Sequence, residues 1–430
     1  MHSNSKEKNN FLEYNGQFKA GTIEGKGVLK YRNGDLYEGF LKNSIPDGEG
    51  HMLYATHTGQ DYKEYQGRYS NGKFSGKGKL IYSNGNVYAG DLFNDFKHGS
   101  GMIKYCTDRE PNYTQFKGTF NNDLFEEGEL VFKNGDAYSG QFKNNNFHGQ
   151  GTYKLNQGGS AEINTFKGGW YNGKNSGFGI MEYKNGDIFE GNFKDNIRQG
   201  HGTYLYLNPN YTGEVKKIEA EYKHNRPNGT ANIWYKNNDY YEGQILGEYK
   251  HGSGLLKFSP NDPIFSLYKG DFVNDKFEGC GTMNFKNGDV YYGDFKNSMI
   301  EGKGCVNYGN DQKLLKYEGE FFKNKKSGYG KLWYKNGDIY LGEFKENVMS
   351  GYGCVYYRKD HQDLVNFEGQ FGDDMANGKG ILVFKNGQKY LATFKNNVLA
   401  EGQLITEENE TEKSIKREVI KITNSIEESS

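Results

Sequence analysis

Three histidines recur at an equivalent place in the sequence and are the first candidates for metal chemistry. His98, His148 and His251 each immediately precede a glycine, and imidazole nitrogen is a common zinc ligand. The three belong to different copies of a repeat, and strands in a sheet are about 4.8 Å apart, so neighbouring histidines would be about 19 Å or more apart. We therefore interpret them as turn residues and predict no metal site.

Glycine pairs and carboxylates offer two further kinds of site. The segments Gly25-Lys-Gly27 and Gly302-Lys-Gly304 resemble fragments of phosphate-binding loops, but such a loop leads into a helix, and here the pattern predicts a second strand. Asp and Glu recur at equivalent positions of many copies, which is typical of a solvated face, whereas a catalytic site needs a unique, desolvated group. We predict that the chain is not an enzyme and has no catalytic residue and no cofactor.

The element that must position all these side chains is a repeat of about 23 residues, which indicates one supersecondary unit stacked on itself. We number each copy from its first aromatic residue as position 0; Tyr65 and Tyr88 begin two consecutive copies. Positions 0, 2 and 4 read aromatic, glycine, apolar, and the alternation predicts a strand. Positions 11 and 13 are usually glycine, position 15 is apolar and position 17 is nearly always Tyr or Phe, which predicts a second strand.

Each copy is therefore predicted to be a β-hairpin, and sixteen copies run from Tyr14 to about Ile405. Within a copy we predict a six-residue turn segment, such as the one from Ser70 to Ser75. Successive copies are most often joined by Asn-Gly, as at Asn33-Gly34, which predicts a tight turn of type I′.

A longer period is superimposed on the first, because copies alternate between two kinds of link. Odd copies end in the tight link, whereas even copies before the last end in a longer connector of about eight to eleven residues. These predicted connectors include Ala55 to Glu64, Cys106 to Gln115, Leu207 to Lys217 and Arg358 to Asn366. If every fourth strand ends in a connector, the connectors project from one edge at intervals of about 19 Å.

The fold class predicted from these patterns is all-β, an elongated single-layer twisted antiparallel β-meander of stacked hairpins. Residues 1–13 form a polar N-terminal segment, 14–405 the β-ribbon, and 406–430 a charged tail. The tail is either disordered or a short helix with Ile415, Val419 and Ile422 on one face, which would cover the open last strand.

The run Tyr317-Glu-Gly-Glu-Phe, followed by Gly328-Tyr-Gly-Lys-Leu-Trp-Tyr334, closely resembles the MORN repeat. The resemblance covers most of the chain, with weak copies at Phe116, Ile218 and Tyr390. It implies an antiparallel β-ribbon that organises protein assemblies, often in cytoskeletal or ciliary structures, or that tethers membranes.

From this resemblance we expect a non-enzymatic scaffold or adaptor that docks protein partners, plausibly in a cytoskeletal or ciliary (axonemal) assembly. The rings and glycines of one face would form a trough for amphipathic helices or other sheets, with further contacts at the long connectors. The best-formed stretch of this predicted trough consists of Tyr268, Phe272, Tyr291, Phe295, Tyr317, Phe321, Trp333, Tyr340, Phe344, Phe367 and Phe371.

Composition bears on the alternatives. The chain has 430 residues, with 54 basic and 55 acidic side chains and a net charge of −1, so no basic patch predicts nucleic acid as a partner. A membrane-associated adaptor that binds acidic phospholipids is an alternative, as is the targeting subunit of a lipid-kinase-type enzyme. Lacking an apolar run of membrane-spanning length, the chain is expected to be intracellular and cytoplasmic, on the cytoskeleton or in the cilium. An exposed terminal strand makes a homodimer possible.

Overall fold

The computed structural model describes residues 11–55, 61–106, 112–156, 158 and 162–405. These residues form thirty-two strands and no helix, which confirms the prediction of an all-β antiparallel meander. Accordingly, they include no helix that is long and apolar enough to cross a membrane. The predicted tail at 406–430 lies outside the described residues.

The chain divides into two compact units, each of which is described by itself. Unit 1 is Met1–Tyr211 with Tyr222–Asn225, and unit 2 is Thr212–Glu221 with Arg226–Ser430. The strand β17 (Val215–Lys223) has residues in both units. The predicted domain boundaries stay a prediction.

In unit 1 each strand pairs antiparallel with the next one along the chain. The strands are β1 Phe11–Lys19, β2 Thr22–Tyr31, β3 Leu36–Lys42, β4 Ile45–Leu53, β5 Tyr62–Ser70, β6 Lys73–Tyr82, β7 Val87–Phe93, β8 Phe96–Lys104, β9 Tyr113–Asn121, β10 Leu124–Phe132, β11 Ala137–Lys143, β12 Asn146–Lys154, β13 Ile163–Tyr171, β14 Lys174–Tyr183, β15 Ile188–Lys194 and β16 Ile197–Leu205.

Unit 2 has the same connectivity from β18 onward. Its strands are β18 Arg226–Tyr235, β19 Tyr240–Leu246, β20 Tyr249–Lys257, β21 Phe265–Val273, β22 Lys276–Phe285, β23 Val290–Lys296, β24 Met299–Asn307, β25 Leu314–Phe322, β26 Lys325–Tyr334, β27 Ile339–Lys345, β28 Val348–Tyr356, β29 Leu364–Gly372, β30 Met375–Phe384, β31 Lys389–Lys395 and β32 Val398–Leu404.

The glycines at positions 2 and 13 fall in register from strand to strand. Gly67 of β5 is opposite Gly78 of β6, which is opposite Gly90 of β7, and the row continues through unit 1. In unit 2 the same row includes Ala231 and Ala392, and Ala220 occupies position 2 of the copy that begins at Ile218. We call this set of paired residues the glycine row; along it the backbone carries at most a methyl group.

The glycine at position 11 has a different reason for being there. Gly67 pairs with Gly78 and Tyr69 pairs with Phe74, so β6 has extra residues at this point and forms a bulge. Gly76 lies in the bulge with φ of +67°, a conformation that favours glycine. The two glycines of each Gly-x-Gly thus satisfy separate requirements. The first adopts a positive φ, and the second leaves room for the ring because it has no side chain.

The predictions for the two kinds of turn were wrong, because the type I′ turn lies within each copy and not in the Asn-Gly link between copies. Within a copy the turn has only two residues, such as Asn71 and Gly72, and both have positive φ, which is type I′. The predicted six-residue segment is therefore mostly strand. In the Asn-Gly link between copies, Gly34 alone has a positive φ, and its amide donates to Tyr31 O while Tyr31 N donates to Asp35 O. This is a three-residue loop with a bulge glycine.

The connectors are also shorter than predicted. The connector expected from Arg358 to Asn366 ends before Leu364, where β29 begins. Leu364 pairs with Phe384, and the register shifts between Leu364 and Asn366, so a second bulge lets the strand extend past the hairpin. The connectors carry strand residues at their C-terminal ends for this reason.

Candidate functional site

In most copies the position-0 ring lies against the glycine row. Tyr65 has no exposed surface, and a Cβ atom added to Gly67 or Gly78 would lie 2.6 Å from its hydroxyl oxygen. The hydroxyl donates to the carbonyl oxygen of Arg68 at 2.8 Å, so the one polar atom of the ring is satisfied by its own strand. Burial raises the pKa of Tyr65 well above its ordinary range.

The rings form an edge-to-face ladder that is interrupted where position 0 or position 4 is aliphatic, and the ring contacts add to their burial. The Tyr317 ring contacts Phe321 of its own copy at 5.2 Å and Phe344 of the next copy at 5.0 Å, with interplanar angles of 86° and 83°. The Tyr340 ring contacts Phe344 and Phe371 in the same way. The ladder is the core of each unit.

The eleven residues of the predicted trough lie mostly inside this ladder. Trp333 is half-buried, because position 16 points to the opposite face. The other ten are at most 7% exposed, so in this conformation their rings offer almost no surface to a partner. Their role in partner binding stays a prediction. These ten are Tyr268, Phe272, Tyr291, Phe295, Tyr317, Phe321, Tyr340, Phe344, Phe367 and Phe371.

The half-buried rings at position 17 provide the surface that remains accessible on the ladder face, and they lie beside the position-9 side chains. Tyr308, Tyr334 and Tyr357 occupy position 17 in successive copies of unit 2, and all three are half-buried. The Tyr334 hydroxyl lies 3.6 Å from the Met349 sulfur, which occupies position 9. Burial raises the pKa of Tyr334 to about 12. We call the position-17 and position-9 side chains of this face the groove.

Two lysines at position 9 are fully paired in the groove. Lys97 Nζ lies 3.2 Å from the Tyr82 hydroxyl and contacts the Asp123 carboxylate. Lys250 Nζ lies 3.0 Å from both the Tyr235 hydroxyl and Asp275 Oδ1. Burial lowers the pKa of each ammonium group, but these partners outweigh it and raise the pKa.

Lys326 occupies the same position without a carboxylate. Its Nζ lies 5.4 Å from the Tyr317 ring centroid and 5.5 Å from that of Phe344. The residue equivalent to Asp123 is Asn347, whose Oδ1 accepts the Lys326 backbone amide at 2.8 Å. Among the described residues Lys326 Nζ has no ion pair or hydrogen bond. Burial lowers its pKa, and the carboxylates of Asp374 and Asp311 offset that effect only in part.

Arg198 repeats this arrangement in unit 1. Its guanidinium lies 5.2 Å from the Phe189 ring centroid and 5.5 Å from that of Tyr222, and its Nη2 donates to Asn225 O at 2.7 Å. Asn225 occupies the position in its copy that is equivalent to that of Asp123. Lys326 and Arg198 are the two groove cations with an asparagine at the position equivalent to Asp123. Among the described residues, neither cation forms an ion pair with a carboxylate.

One edge of each unit is closed by hydrogen bonds between successive type I′ turns. Asp95, the second turn residue of its copy, donates its amide to Phe74 O and accepts the Phe74 amide on Oδ1 at 2.8 Å. Asn145 accepts the Phe125 amide in the same way. The frequent Asp and Asn at this position both tolerate positive φ and supply this acceptor.

At the other edge, the aspartate after Asn-Gly fixes the base of a connector. Asp136 Oδ1 accepts the Asn156 amide at 2.7 Å, and Oδ2 accepts from the Tyr153 hydroxyl and Asn134 Nδ2. Burial raises the pKa of this carboxyl, but the hydrogen bonds outweigh burial and hold its pKa below the usual range. Asp338 accepts the Arg358 amide in the same way.

Sequence reasoning missed both the groove lysines and these aspartates. Position 17 is recognisable as aromatic, but position 9 varies among Phe, Ile, Leu, Met, Ala, Pro, Lys, Arg and Asn, so no single residue type marks it in the sequence. The aspartate follows Asn-Gly in several copies, but the sequence does not show that its side chain binds the connector. The three histidines lie on β8, β12 and β20, and the described residues contain no group of three potential metal ligands.

The sequence profile of the MORN repeat matches more than half of the chain. It matches twelve segments, among which are 14–36, 65–87, 268–290 and 317–339. The unmatched copies begin at Phe116, Ile218, Tyr241 and Tyr390, and each of them still forms two strands.

Among curated proteins the chain is similar to alsin. Human and chimpanzee alsin are each 31% identical to it over 91 residues, which is 21% of this chain and 6% of alsin. The chain thus spans a small fraction of the length of these relatives. A solved structure of the SAS-4 TCP domain with a proline-rich motif of Ana2, from Drosophila melanogaster, matches at 17% identity and a TM-score of 0.14, covering 51% of this chain and 85% of that one.

Proposed function

Because the chain belongs to the MORN-repeat family, we propose that it is a non-enzymatic scaffold that docks protein partners in a cytoskeletal or ciliary assembly. Proteins of this family are repeat scaffolds that often bind proteins or membranes. The ladder supports the proposal because it is the core, leaving the groove and the connectors as the surfaces for partners. Each copy repeats these surfaces, so several partners have equivalent places to bind.

The groove gives the partner a definite chemistry. Its accessible rings at position 17 are suited to apolar side chains, and Lys326 is a half-buried cation with no ion pair among the described residues. A carboxylate from outside the chain would take the place that Asp123 and Asp275 fill for Lys97 and Lys250. We therefore infer that the partner is an apolar peptide segment bearing Asp or Glu, and Lys326 is the observation that carries this inference.

A membrane-associated adaptor is the competing function, with lipid-kinase targeting as its variant. Binding to acidic headgroups draws on clustered Lys and Arg worth about 1 kcal/mol each near the membrane surface. The groove cations are instead separated by several copies and are partly buried, which favours a peptide carboxylate over a lipid surface.

Proximity labelling with the full-length chain in its native cell tests the proposal. Lys326→Glu should lose labelled partners because it places a carboxylate where the partner's carboxylate would bind. Lys325→Glu is the matched control, since Lys325 is the adjacent residue and its side chain is 48% exposed, paired only with exposed Glu346. We expect the control to label the wild-type set of cytoskeletal or ciliary proteins.

Two outcomes would overturn the proposal. Identical labelled sets for the wild type, Lys326→Glu and Lys325→Glu would exclude the groove as the docking surface. Salt-sensitive flotation of the purified chain with phosphatidylserine and phosphoinositide vesicles, together with labelling of membrane proteins alone, would favour the membrane adaptor.

A further inference from the structure

A cavity of unit 1 lies beside Arg198 in the groove, and we call it the Arg198 cavity. Its volume is about 390 Å³, whereas a cavity of about 150 Å³ is enough for a benzene ring. The cavity therefore has room for an aromatic side chain and a neighbouring polar group. Among the described residues its lining includes Glu162, Ile163, Met181, Tyr183, Phe193 and Arg198.

In other copies aromatic rings fill the equivalent space. We give the residue three before position 0 the number −3. Tyr62 at position −3 contacts the position-9 ring of Phe74 at 5.7 Å and the position-17 ring of Tyr82 at 5.6 Å. In the next odd copy, Tyr113 contacts Phe125 in the same way, at 6.4 Å. Two rings, from positions −3 and 9, therefore occupy this space in each of these copies.

The copy that begins at Phe166 lacks both of these rings. Its position −3 is Ile163 and its position 9 is Asn175, while Tyr183 remains at position 17. Each replacement is smaller than the ring it replaces, so the described residues leave part of the space unfilled. An aromatic ring from outside the chain would restore beside Tyr183 the packing that the other copies have.

The cation of the cavity also lacks a counterpart. Arg198 Nη2 donates to Asn225 O at 2.7 Å, and among the described residues the guanidinium forms no ion pair. At the equivalent position, Lys97 contacts the carboxylate of Asp123. Because a guanidinium presents several donors in a planar fork that matches a carboxylate, Arg198 can still form a charge-assisted pair.

The charges of the cavity favour a carboxylate over a phosphate. Arg198 is the one cation and Glu162 the one carboxylate among the described residues of the lining. Arg198 is half-buried and Glu162 is exposed, so the positive charge lies deeper than the negative one. One guanidinium balances a single carboxylate, whereas a dianionic phosphate would keep a net negative charge near Glu162.

We propose that the Arg198 cavity binds an aromatic side chain and an adjacent Asp or Glu of the partner's peptide. The ring takes the place of the missing rings beside Tyr183, and the carboxylate pairs with Arg198 as Asp123 pairs with Lys97. This binding rests on the proposed function in taking the partner to be a peptide, and it specifies two residues of that peptide. The cavity thus gives the groove of unit 1 a sequence preference.

NMR titration of the full-length chain with capped peptides tests this inference. The probe is acetyl-Ala-Ala-Phe-Glu-Ala-Ala-amide, the Phe-Glu peptide. Two further peptides replace its Phe by Ala or its Glu by Gln. We expect each replacement to weaken binding by about tenfold or more, because one loses the ring and the other loses the charge.

Two variants supply from the chain itself what the peptide would bring. Ile163→Tyr adds the ring that other copies have at position −3, and Asn225→Asp adds the carboxylate that Lys97 has at the equivalent position. Each should weaken binding of the Phe-Glu peptide by about tenfold or more. Asn225→Asp should leave binding of the Gln peptide unchanged, which also shows that the variant is folded. Leu364→Tyr is the matched control, since it adds the same ring at position −3 of a copy in unit 2 and should bind like the wild type.

Lys326→Glu distinguishes failure of this inference from failure of the proposed function. If Lys326→Glu loses its labelled partners while Ile163→Tyr and Asn225→Asp bind the Phe-Glu peptide like the wild type, the cavity assignment is wrong and the scaffold function stands. If both variants lose the peptide while Lys326→Glu keeps its labelled set, the cavity assignment is supported and docking at Lys326 is refuted. Tighter binding of inorganic phosphate than of the Phe-Glu peptide, weakened by Asn225→Asp, would also overturn the inference.

Discussion

Replacing Gly78 by alanine tests whether the tyrosine rings determine the glycine row. A Cβ atom on Gly78 would lie 2.6 Å from both Cε2 and the hydroxyl oxygen of Tyr65. The ring cannot move aside without losing its burial and its hydrogen bond to Arg68 O. We expect Gly78→Ala to destabilise the β5–β6 hairpin by about 1–3 kcal/mol, the usual cost of adding a methyl group to a packed core.

The chain supplies the matched control in the same row. A Cβ atom on Gly402 would lie 3.8 Å from the Leu399 side chain, an ordinary van der Waals distance. Gly402→Ala should therefore be neutral or stabilise by up to about 1 kcal/mol, because alanine restricts the unfolded chain.

Two copies of the repeat have alanine in the row, and in both the position-0 side chain differs from Tyr65 in type or in burial. The copy that begins at Ile218 has Ala220 and Ala231 in the row, so a shorter position-0 side chain accompanies the two methyl groups. At the last copy Ala392 follows Tyr390, and that ring is only half-buried and leans on Phe384 at 5.3 Å. On a Tyr65→Ile background the cost of Gly78→Ala should vanish, which is a coupling of about 1–3 kcal/mol.

Hydrogen exchange in β5 and β6 is the suitable assay, because stacked hairpins contact only their neighbours and need not unfold together. The protection of each amide in the double-mutant cycle gives the local free energy of opening. If Gly78→Ala costs the same with and without Tyr65→Ile, the ring does not determine the glycine and the reasoning is refuted.

Three further predictions use matched pairs of residues. Tyr65→Phe should cost about 1 kcal/mol of local stability, whereas Tyr69→Phe should be neutral or stabilising in the same hydrogen-exchange measurement, because no described residue makes a hydrogen bond with the buried Tyr69 hydroxyl. Lys326→Met should stabilise β26 and Lys97→Met should destabilise β8 in the same measurement, because Lys97 Nζ has an ion pair and a hydrogen bond whereas Lys326 Nζ has neither among the described residues; equal effects of the two changes would contradict the assignment. Because the Asp136 pKa is lowered, its contribution is present at neutral pH and is lost as the pH falls through the folded pKa, so Asp136→Asn should remove the acid dependence of exchange at Asn156.

The regular part of the fold could be predicted because one set of residue types recurs at fixed spacing. Alternation at positions 0, 2 and 4 determines which side chains face the core, and the hairpins follow. The turn types could not be predicted from Asn-Gly alone, because Asn71-Gly72 and Asn33-Gly34 share the same letters. What separates them is the bulge at Gly76, which shifts the register, and register is a property of two strands rather than of one segment.

The candidate site was harder to predict because accessibility depends on neighbouring copies. The sequence identifies Phe321 and Phe344 as aromatic, but only the edge-to-face stacking of one copy on the next buries them. Lys326 looks like any surface lysine in the sequence. Its lack of a carboxylate becomes visible only when Asn347, twenty-one residues away, is seen in the place of Asp123.

The aspartate at the base of each connector has a consequence for engineering. Because Asp338 holds the Arg358 amide and β29 begins at Leu364, the two ends of the connector are fixed independently of what lies between them. Foreign peptides inserted between these points should leave strand register unchanged, since loop closure grows only slowly in cost with length. The chain is in this sense a display framework in which insertion sites recur about every fifty residues.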